Sequence, residues 1–324
     1  MKVQICLVHG GAGTIPQSRE EGKLKGVQRA AYIGYKTLIE TDNAIEAVEK
    51  AVNEMELDPY FNAGYGSVLT IDGKVEMDAS IMCGRTLNFG AVSLVQDVLH
   101  PISLARLVMQ KSKHKFLSED GAIKFARQNG MRILHPPGQL VTDFTSNVIQ
   151  NYVSEHNARN QRSEMVFEAL GETGTVGAVA IDILGNIAVA TSTGGIAGKM
   201  SGRIGDTPLL SSGTYCDNKY AGISTTGHGD SLMRACLAHD VIARIKYLNE
   251  DIETAAKNAC KRMHDDLKAT GGIIGLSKDG KVGIAFTSQR MAWAYQRGSK
   301  MHYGLKQNDN FVKEVDCNFL NNNQ

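Results

Sequence analysis

The sequence predicts an α/β fold with strands and helices stacked in α/β/β/α layers. Two observations carry that expectation. Short runs of β-branched and small apolar residues occur in both halves of the chain. In each half they are flanked by pairs of segments with helical apolar spacing. At 324 residues the chain suits one large domain or two smaller ones, burying about three quarters of its unfolded surface.

The elements follow in order. Val3 to Val8 is an apolar run that ends in the glycine-rich stretch His9-Gly10-Gly11-Ala12-Gly13, so it reads as a buried strand. Ser18 to Ile39 carries a helical pattern. Asp42 is expected to cap a second helix, with Ala44, Ile45, Ala47, Val48, Ala51, Val52 and Met55 on one broad face. Val75 to Met82 and Gly90 to Val95 read as strands. Pro101 to Lys111, Glu119 to Gln128 and Asp143 to Glu155 read as helices. The polar stretch 156–174 is expected to be a mobile linker. Val176 to Asp182 and Ile187 to Thr193 form a hairpin across Leu184-Gly185-Asn186, because Gly-Asn between two apolar runs is a turn signal. Helices follow over Asp230 to Leu248 and Ile252 to Lys268. Gly272 to Ser277 and Lys281 to Thr287 are strands joined by Lys278-Asp279-Gly280.

Composition excludes several classes of function. A net charge of +1 without long runs of like charge argues against nucleic-acid or membrane-surface binding by electrostatics. No apolar run is long enough to span a membrane, and the N-terminal apolar stretch is too short for a secretion signal. The six cysteines, Cys6, Cys83, Cys216, Cys236, Cys260 and Cys317, show neither paired nor metal-ligand spacing. Reduced structural thiols and a cytoplasmic location are expected.

Chemistry concentrates around Gly174-Thr175-Val176-Gly177. Alone, Thr175 reads as an ordinary strand threonine. Cleavage of the Gly174–Thr175 bond would give it a free α-amine, whose reference pKa of about 8 suits a general base for its own hydroxyl. The returning strand ends in Thr191-Ser192-Thr193-Gly194-Gly195, so the hairpin brings hydroxyl residues together. Arg203 and Asp206, in a glycine-flanked loop, present a cation and an anion. They could hold an amino-acid zwitterion, or each other in a surface salt bridge. Ser224-Thr225-Thr226-Gly227-His228-Gly229-Asp230 offers backbone N–H groups to an oxyanion at a helix start. His9 and His228 lack partners at metal spacing and read as loop-shaping hydrogen-bonding groups.

These motifs resemble the plant-type L-asparaginase/isoaspartyl aminopeptidase family of threonine N-terminal-nucleophile hydrolases. The resemblance also takes in His9 to Ile15, Phe61 to Leu69, Glu76 to Met82 and Gly271 to Ile274, in the family's order and spacing. It implies the four-layer αββα sandwich of that hydrolase type as one domain, residues 1–324. That domain is cut by self-processing into an α subunit, 1–174, and a β subunit, 175–324. Gly174 and Thr175 match the cleavage site. Thr175 matches the nucleophile and Thr193 its orienting neighbour, while Thr226 and Gly227 match the oxyanion pair. Arg203, Asp206, Gly229 and Asn62 match the substrate-binding set, with Thr226 and Gly227 lining the same pocket. The implied activity is hydrolysis of L-asparagine and of β-aspartyl dipeptides, without a catalytic cofactor. A structural sodium ion is implied on the main-chain carbonyls of Met55, Glu56, Asp58, Phe61, Ala63 and Tyr65. A dimer of αβ units is implied as well. The alternatives are a glycosylasparaginase-type amidase and an amino-acid-binding relative that never cleaves. Cys83 and Ser211-Ser212 depart from the family pattern and bear on substrate preference.

Overall fold

In the computed structural model, residues 4–159 and 174–316 are described. The chain runs β1 (Ile5–Gly13), α1 (Gln17–Thr41), α2 (Ala44–Glu56), β2 (Met77–Cys83), β3 (Phe89–Val95), α3 (Pro101–Lys111), β4 (Phe116–Ser118), α4 (Glu119–Gln128) and α5 (Asp143–Arg159). It continues through β5 (Val176–Ile181), β6 (Ile187–Thr193), β7 (Thr214–Asp217), β8 (Ala221–Gly227), α6 (Gly229–Ala235), α7 (Leu237–Leu248) and α8 (Ile252–Leu267). The last strands are β9 (Gly271–Ser277), β10 (Val282–Phe286), β11 (Arg290–Arg297), β12 (Lys300–Gly304) and β13 (Phe311–Glu314).

Among the described residues the strands form two sheets. One has nine strands in the order β13-β12-β11-β1-β5-β6-β2-β3-β4, and the other four in the order β10-β9-β8-β7. Every neighbouring pair is antiparallel except β3 with β4. The two-residue period of a strand splits its side chains between two apolar clusters. On β1 and β5, Cys6, Val8, Val176, Ala178 and Ala180 join a cluster with Val27, Val48, Val52 and other residues of α1 and α2. Ile5, Leu7, Val179 and Ile181 point the other way, into a cluster with Ile274 and Leu276 of β9. Ile223 and Ile273 on the smaller sheet pack with Leu232, Val241, Ala255 and Met263 of α6, α7 and α8. Central strands buried on both faces explain their nearly continuous apolar sequence.

Several boundaries differ from expectation for physical reasons. The cap of α2 is Asn43, whose Oδ1 accepts from the Ile45 and Glu46 amides at 3.0 and 3.3 Å. Asp42 instead closes α1 in a left-handed conformation, φ 47°. Its carboxylate accepts from Ile183 N at 3.0 Å, tying the end of α1 to the β5–β6 turn. The single helix expected over Asp230 to Leu248 is two, because Cys236 turns left-handed at φ 46° between α6 and α7. The amides freed at the start of α7 are captured by the Ser211-Ser212 loop, Ala238 N on Ser212 O and His239 N on Ser211 O. Periodicity runs straight through that break, so it is not visible in the sequence. The expected linker 156–174 begins too early, since residues 156–159 continue α5. Residues 160–173, Val3 and Cys317 lie outside the described residues. No helix among the described residues is long and apolar enough to cross a membrane.

Candidate functional site

Thr175 stands at the head of β5, 6 % exposed. The β5–β6 register pairs Val176 with Ser192, so one step further Thr175 faces Thr193. Thr193 also pairs with Asp78 of β2, and its hydroxyl accepts from Gly195 N at 3.0 Å, which shapes the turn leaving β6. The hairpin read from the sequence therefore sets the two threonines side by side.

The smaller sheet supplies the facing wall. A Cβ on Gly177 would lie 2.1 Å from Ser224 Oγ, so β5 and β8 touch there. Gly177 is two residues after Thr175, and Ser224 is two residues before Thr226. The same face of both strands thus carries Thr175 and Thr226 toward one region. The Thr226 hydroxyl is buried and accepts from the Ala12 amide at 3.2 Å, which leaves its proton to be donated. Gly227 follows at φ 131°.

Arg203, Asp206 and Gly229 converge. A Cβ on Gly229 would lie 2.8 Å from Arg203 Nη2 and 2.9 Å from Asp206 Oδ1, so glycine is the residue that leaves both charged tips accessible there. Arg203 pairs with Asp230 at 2.7 Å and not with Asp206, and Asp230 is half-exposed. Asp206 is buried, and desolvation pushes its carboxyl up to about 7 against the lowering pull of Arg203 and the Thr225 hydroxyl. A carboxyl so destabilised as an anion is poised to accept a cation.

Asn62 acts as a brace. Its side-chain nitrogen donates to Gly195 O at 2.8 Å, its Oδ1 accepts from Val68 N at 2.9 Å, and its carbonyl accepts from Gly194 N at 2.9 Å. The loop that carries it is folded tightly on itself. Tyr65 N donates to Glu56 O at 2.7 Å, Asp58 N to Met55 O at 3.3 Å and Phe61 N to Asp58 O at 3.0 Å.

Some functional neighbours escaped sequence reasoning. Asp78 is fully buried and accepts from Leu94 N at 3.1 Å, with its pKa raised by burial against the Lys199 and Arg203 charges. Lys199 donates to Glu76 O at 2.7 Å, and burial lowers its pKa. Glu56, raised by burial, accepts from Ser192 Oγ at 2.7 Å and Ile102 N at 3.0 Å and faces His100 at 3.2 Å. A seam of hydroxyls also joins the sheets. His9 Nε2 lies 2.9 Å from Ser224 Oγ, which is 2.9 Å from Thr191 Oγ1. Thr214 lies 2.7 Å beyond Thr191, and Ser80 2.9 Å beyond Thr214. His9 is a buried strand residue, and burial holds its pKa down to about 3. His228 faces Ser231 at 2.9 Å at the start of α6. The available signal was polar residues inside otherwise apolar strands, Asp78 and Ser80 above all.

Among the described residues no group of three or more His, Cys, Asp or Glu side chains could hold a metal ion. The five cysteines described are free, four of them buried, with Cys236 exposed at the α6–α7 break.

Against known proteins, the chain matches the asparaginase family over residues 2–305. It is 44 % identical over 312 residues to a probable isoaspartyl peptidase/L-asparaginase of Drosophila pseudoobscura pseudoobscura, covering 93 % of this chain and 96 % of that one. It is 43 % identical over 312 residues to the isoaspartyl peptidase/L-asparaginase of Danio rerio, covering 96 % and 98 %. The Homo sapiens isoaspartyl peptidase/L-asparaginase is likewise 43 % identical over 312 residues, covering 96 % and 99 %.

Proposed function

The chain belongs to the asparaginase family, and from that premise we propose that it hydrolyses L-asparagine to L-aspartate and ammonia and cleaves β-aspartyl dipeptides through a threonyl acyl-enzyme. The observation that carries this reading is the placing of Thr175 beside Thr193, with Thr226 on the facing sheet. The fold is the four-layer αββα sandwich of N-terminal-nucleophile hydrolases, a reading supported by three apolar clusters around two sheets.

Maturation comes first. The Thr175 hydroxyl attacks the Gly174 carbonyl, the acyl group shifts from nitrogen to oxygen, and water hydrolyses the ester. Residues 1–174 and 175–324 separate as chains but stay packed as one domain. In turnover the new α-amine takes the Thr175 hydroxyl proton as the oxygen attacks the side-chain amide of the substrate. Arg203 holds the substrate α-carboxylate and Asp206 its α-ammonium, across the gap that Gly229 leaves. The Thr226 hydroxyl and Gly227 N–H donate to the tetrahedral oxyanion, an arrangement in which one donor is typically worth about 3–4 kcal/mol. The amine leaves with the proton, and water releases aspartate and restores Thr175.

The reading extends to a structural sodium ion held by the main-chain carbonyls of Met55, Glu56, Asp58, Phe61, Ala63 and Tyr65. What supports it is a tight loop in which Gly64 and Gly66 take positive φ of 55° and 117°. A carbonyl that accepts one hydrogen bond keeps a second lone pair for a hard cation. It extends also to a cytoplasmic dimer of αβ units.

Intact-mass measurement after incubation at neutral pH tests the reading together with an asparaginase assay. Wild-type protein should yield fragments 1–174 and 175–324, and Thr175→Ala should stay whole and inactive. Amidase activity surviving in Thr175→Ala would sink the mechanism.

A further inference from the structure

We propose that Lys23 is a positioning residue for self-cleavage, its ammonium pinning the Gly10 carbonyl so that the Gly10–Gly11 peptide is held against the scissile Gly174. The proposal rests on the cleavage reading above and adds to it a residue that no site motif contains.

Lys23 occupies a place where the helix pattern calls for an apolar side chain. It lies on the buried stripe of α1 with Gly26, Val27, Ala30 and Ala31, and is 2 % exposed. Burying a lysine costs free energy unless its ammonium is well partnered. Its Nζ donates to Gly10 O at 3.0 Å and sits 5.3 Å from the centre of the Phe61 ring. Its charge also helps to keep His9 neutral, behind burial as the main cause.

The segment it grips is the part of β1 that the sheet does not fix. Pairing with β11 slips between His9 and Ala12, and pairing with β5 ends at His9 opposite Gly177. Gly10 and Gly11 therefore need another anchor. Gly10 is wedged between Phe61 and Val27, whose atoms would stand 2.3 and 2.8 Å from a Cβ placed on it. Gly11, at φ 103°, lies so near the scissile residue that its Cβ would stand 2.6 Å from Gly174 Cα and 3.0 Å from the Gly174 carbonyl carbon. The next residue, Ala12, donates to the Thr226 hydroxyl at 3.2 Å. Lys23 thus fixes one end of a short span whose middle packs on the carbonyl to be attacked, while the far end is anchored independently of it, by the pairing of Ala12 with Met291 and its bond to the Thr226 hydroxyl. Once the bond is cut, Gly174 no longer has to be held in place, so the need for Lys23 falls mainly on maturation.

The test compares the rate of appearance of fragment 175–324 in wild type, Lys23→Met and Lys23→Arg, with Thr175→Ala as the uncleaved control. Thermal melting reports the folded state of each. Lys23→Met should slow cleavage at least tenfold, while its cleaved form keeps kcat/KM within about threefold of wild type. Lys23→Arg, which retains a cationic donor, should recover at least threefold of the lost rate. Cleavage of Lys23→Met at the wild-type rate overturns the proposal, as does an equal loss in Lys23→Arg. An equal loss in cleavage and in turnover of the cleaved form also overturns it. If Lys23→Met does not fold, Lys23→Leu carries the same comparison. A wild-type chain that never cuts would instead overturn the cleavage reading itself, and the Lys23 proposal with it.

Discussion

Arg203 illustrates how a single side chain is tuned for a ligand. Its guanidinium is held by Asp230 at 2.7 Å, but Asp230 is half-exposed, so that pair is worth no more than about 1 kcal/mol. A substrate carboxylate can therefore take over the fork at little cost. Arg203→Ala should raise KM at least tenfold and lower kcat much less, which steady-state kinetics on L-asparagine would resolve. An unchanged KM would refute the assigned role. Asp206 adds a pH signature. Its carboxyl titrates near 7 in the free protein, and only the anion can hold the substrate ammonium. Below that value, protonation of Asp206 alone should lower kcat/KM about tenfold per pH unit. The Thr175 amine also protonates on this limb but affects kcat as well. A limb present in kcat/KM and weaker in kcat would identify Asp206, and Asp206→Asn should abolish that difference.

At the level of elements, what could be read from the chain depended on where the signal was local. The β5–β6 hairpin is legible because Gly185-Asn186 marks its turn locally, and Asp182 closes that turn from within, with the Leu184 and Asn186 amides on its Oδ1 at 3.0 and 2.8 Å. The motif Ser224 to Asp230 reads as a glycine-bearing turn at a helix start, yet its residues Ser224 to Gly227 are the end of β8. Hydroxyl and glycine residues weaken a strand signal, and here the pairing with β9 overrides it. The break at Cys236 is made by tertiary hydrogen bonds from another loop, so no local pattern marks it. The cap of α2 was missed by one residue, because Asp42 and Asn43 are both good caps and only geometry chooses. That choice has a measurable consequence. Asn43→Ala should cost about 1 kcal/mol by freeing the Ile45 and Glu46 amides, lowering the melting temperature by about 1–3 °C. Asp42→Ala should leave those two amides protected in hydrogen exchange, while Asn43→Ala should expose them.

For the whole molecule, the site is a gap between two sheets, lined by charged groups that the fold would be more stable without. Thr193 and Asp78 belong to the larger sheet, with Thr175 immediately before its strand β5, and Thr226 belongs to the smaller. Between them Asp78 and Asp206 are fully desolvated, with carboxyl pKa values raised by burial. A raised carboxyl pKa means that the folded state binds a proton more readily than the unfolded one. Its ionised form then costs stability above the folded pKa, and that cost disappears as pH falls toward the unfolded value. His9 works in the opposite direction. Its folded pKa of about 3 makes the fold lose stability as pH drops below the ordinary histidine range. The two slopes oppose each other in wild type, so its own pH profile does not isolate either. Replacement of one group separates them. On the uncleaved Thr175→Ala background, which keeps the chain whole, Asp206→Asn removes the ionisable group and keeps its shape. The double variant should be more stable than Thr175→Ala alone at pH 8. Its advantage should shrink by up to about 1.4 kcal/mol per unit as pH falls below about 7. It should vanish below about pH 4, where Asp206 becomes neutral in the folded and the unfolded chain alike. Urea unfolding at three or four pH values would measure the difference. A constant difference across that range would mean that Asp206 is not held near 7, and the acid limb argued for kcat/KM would then need another group.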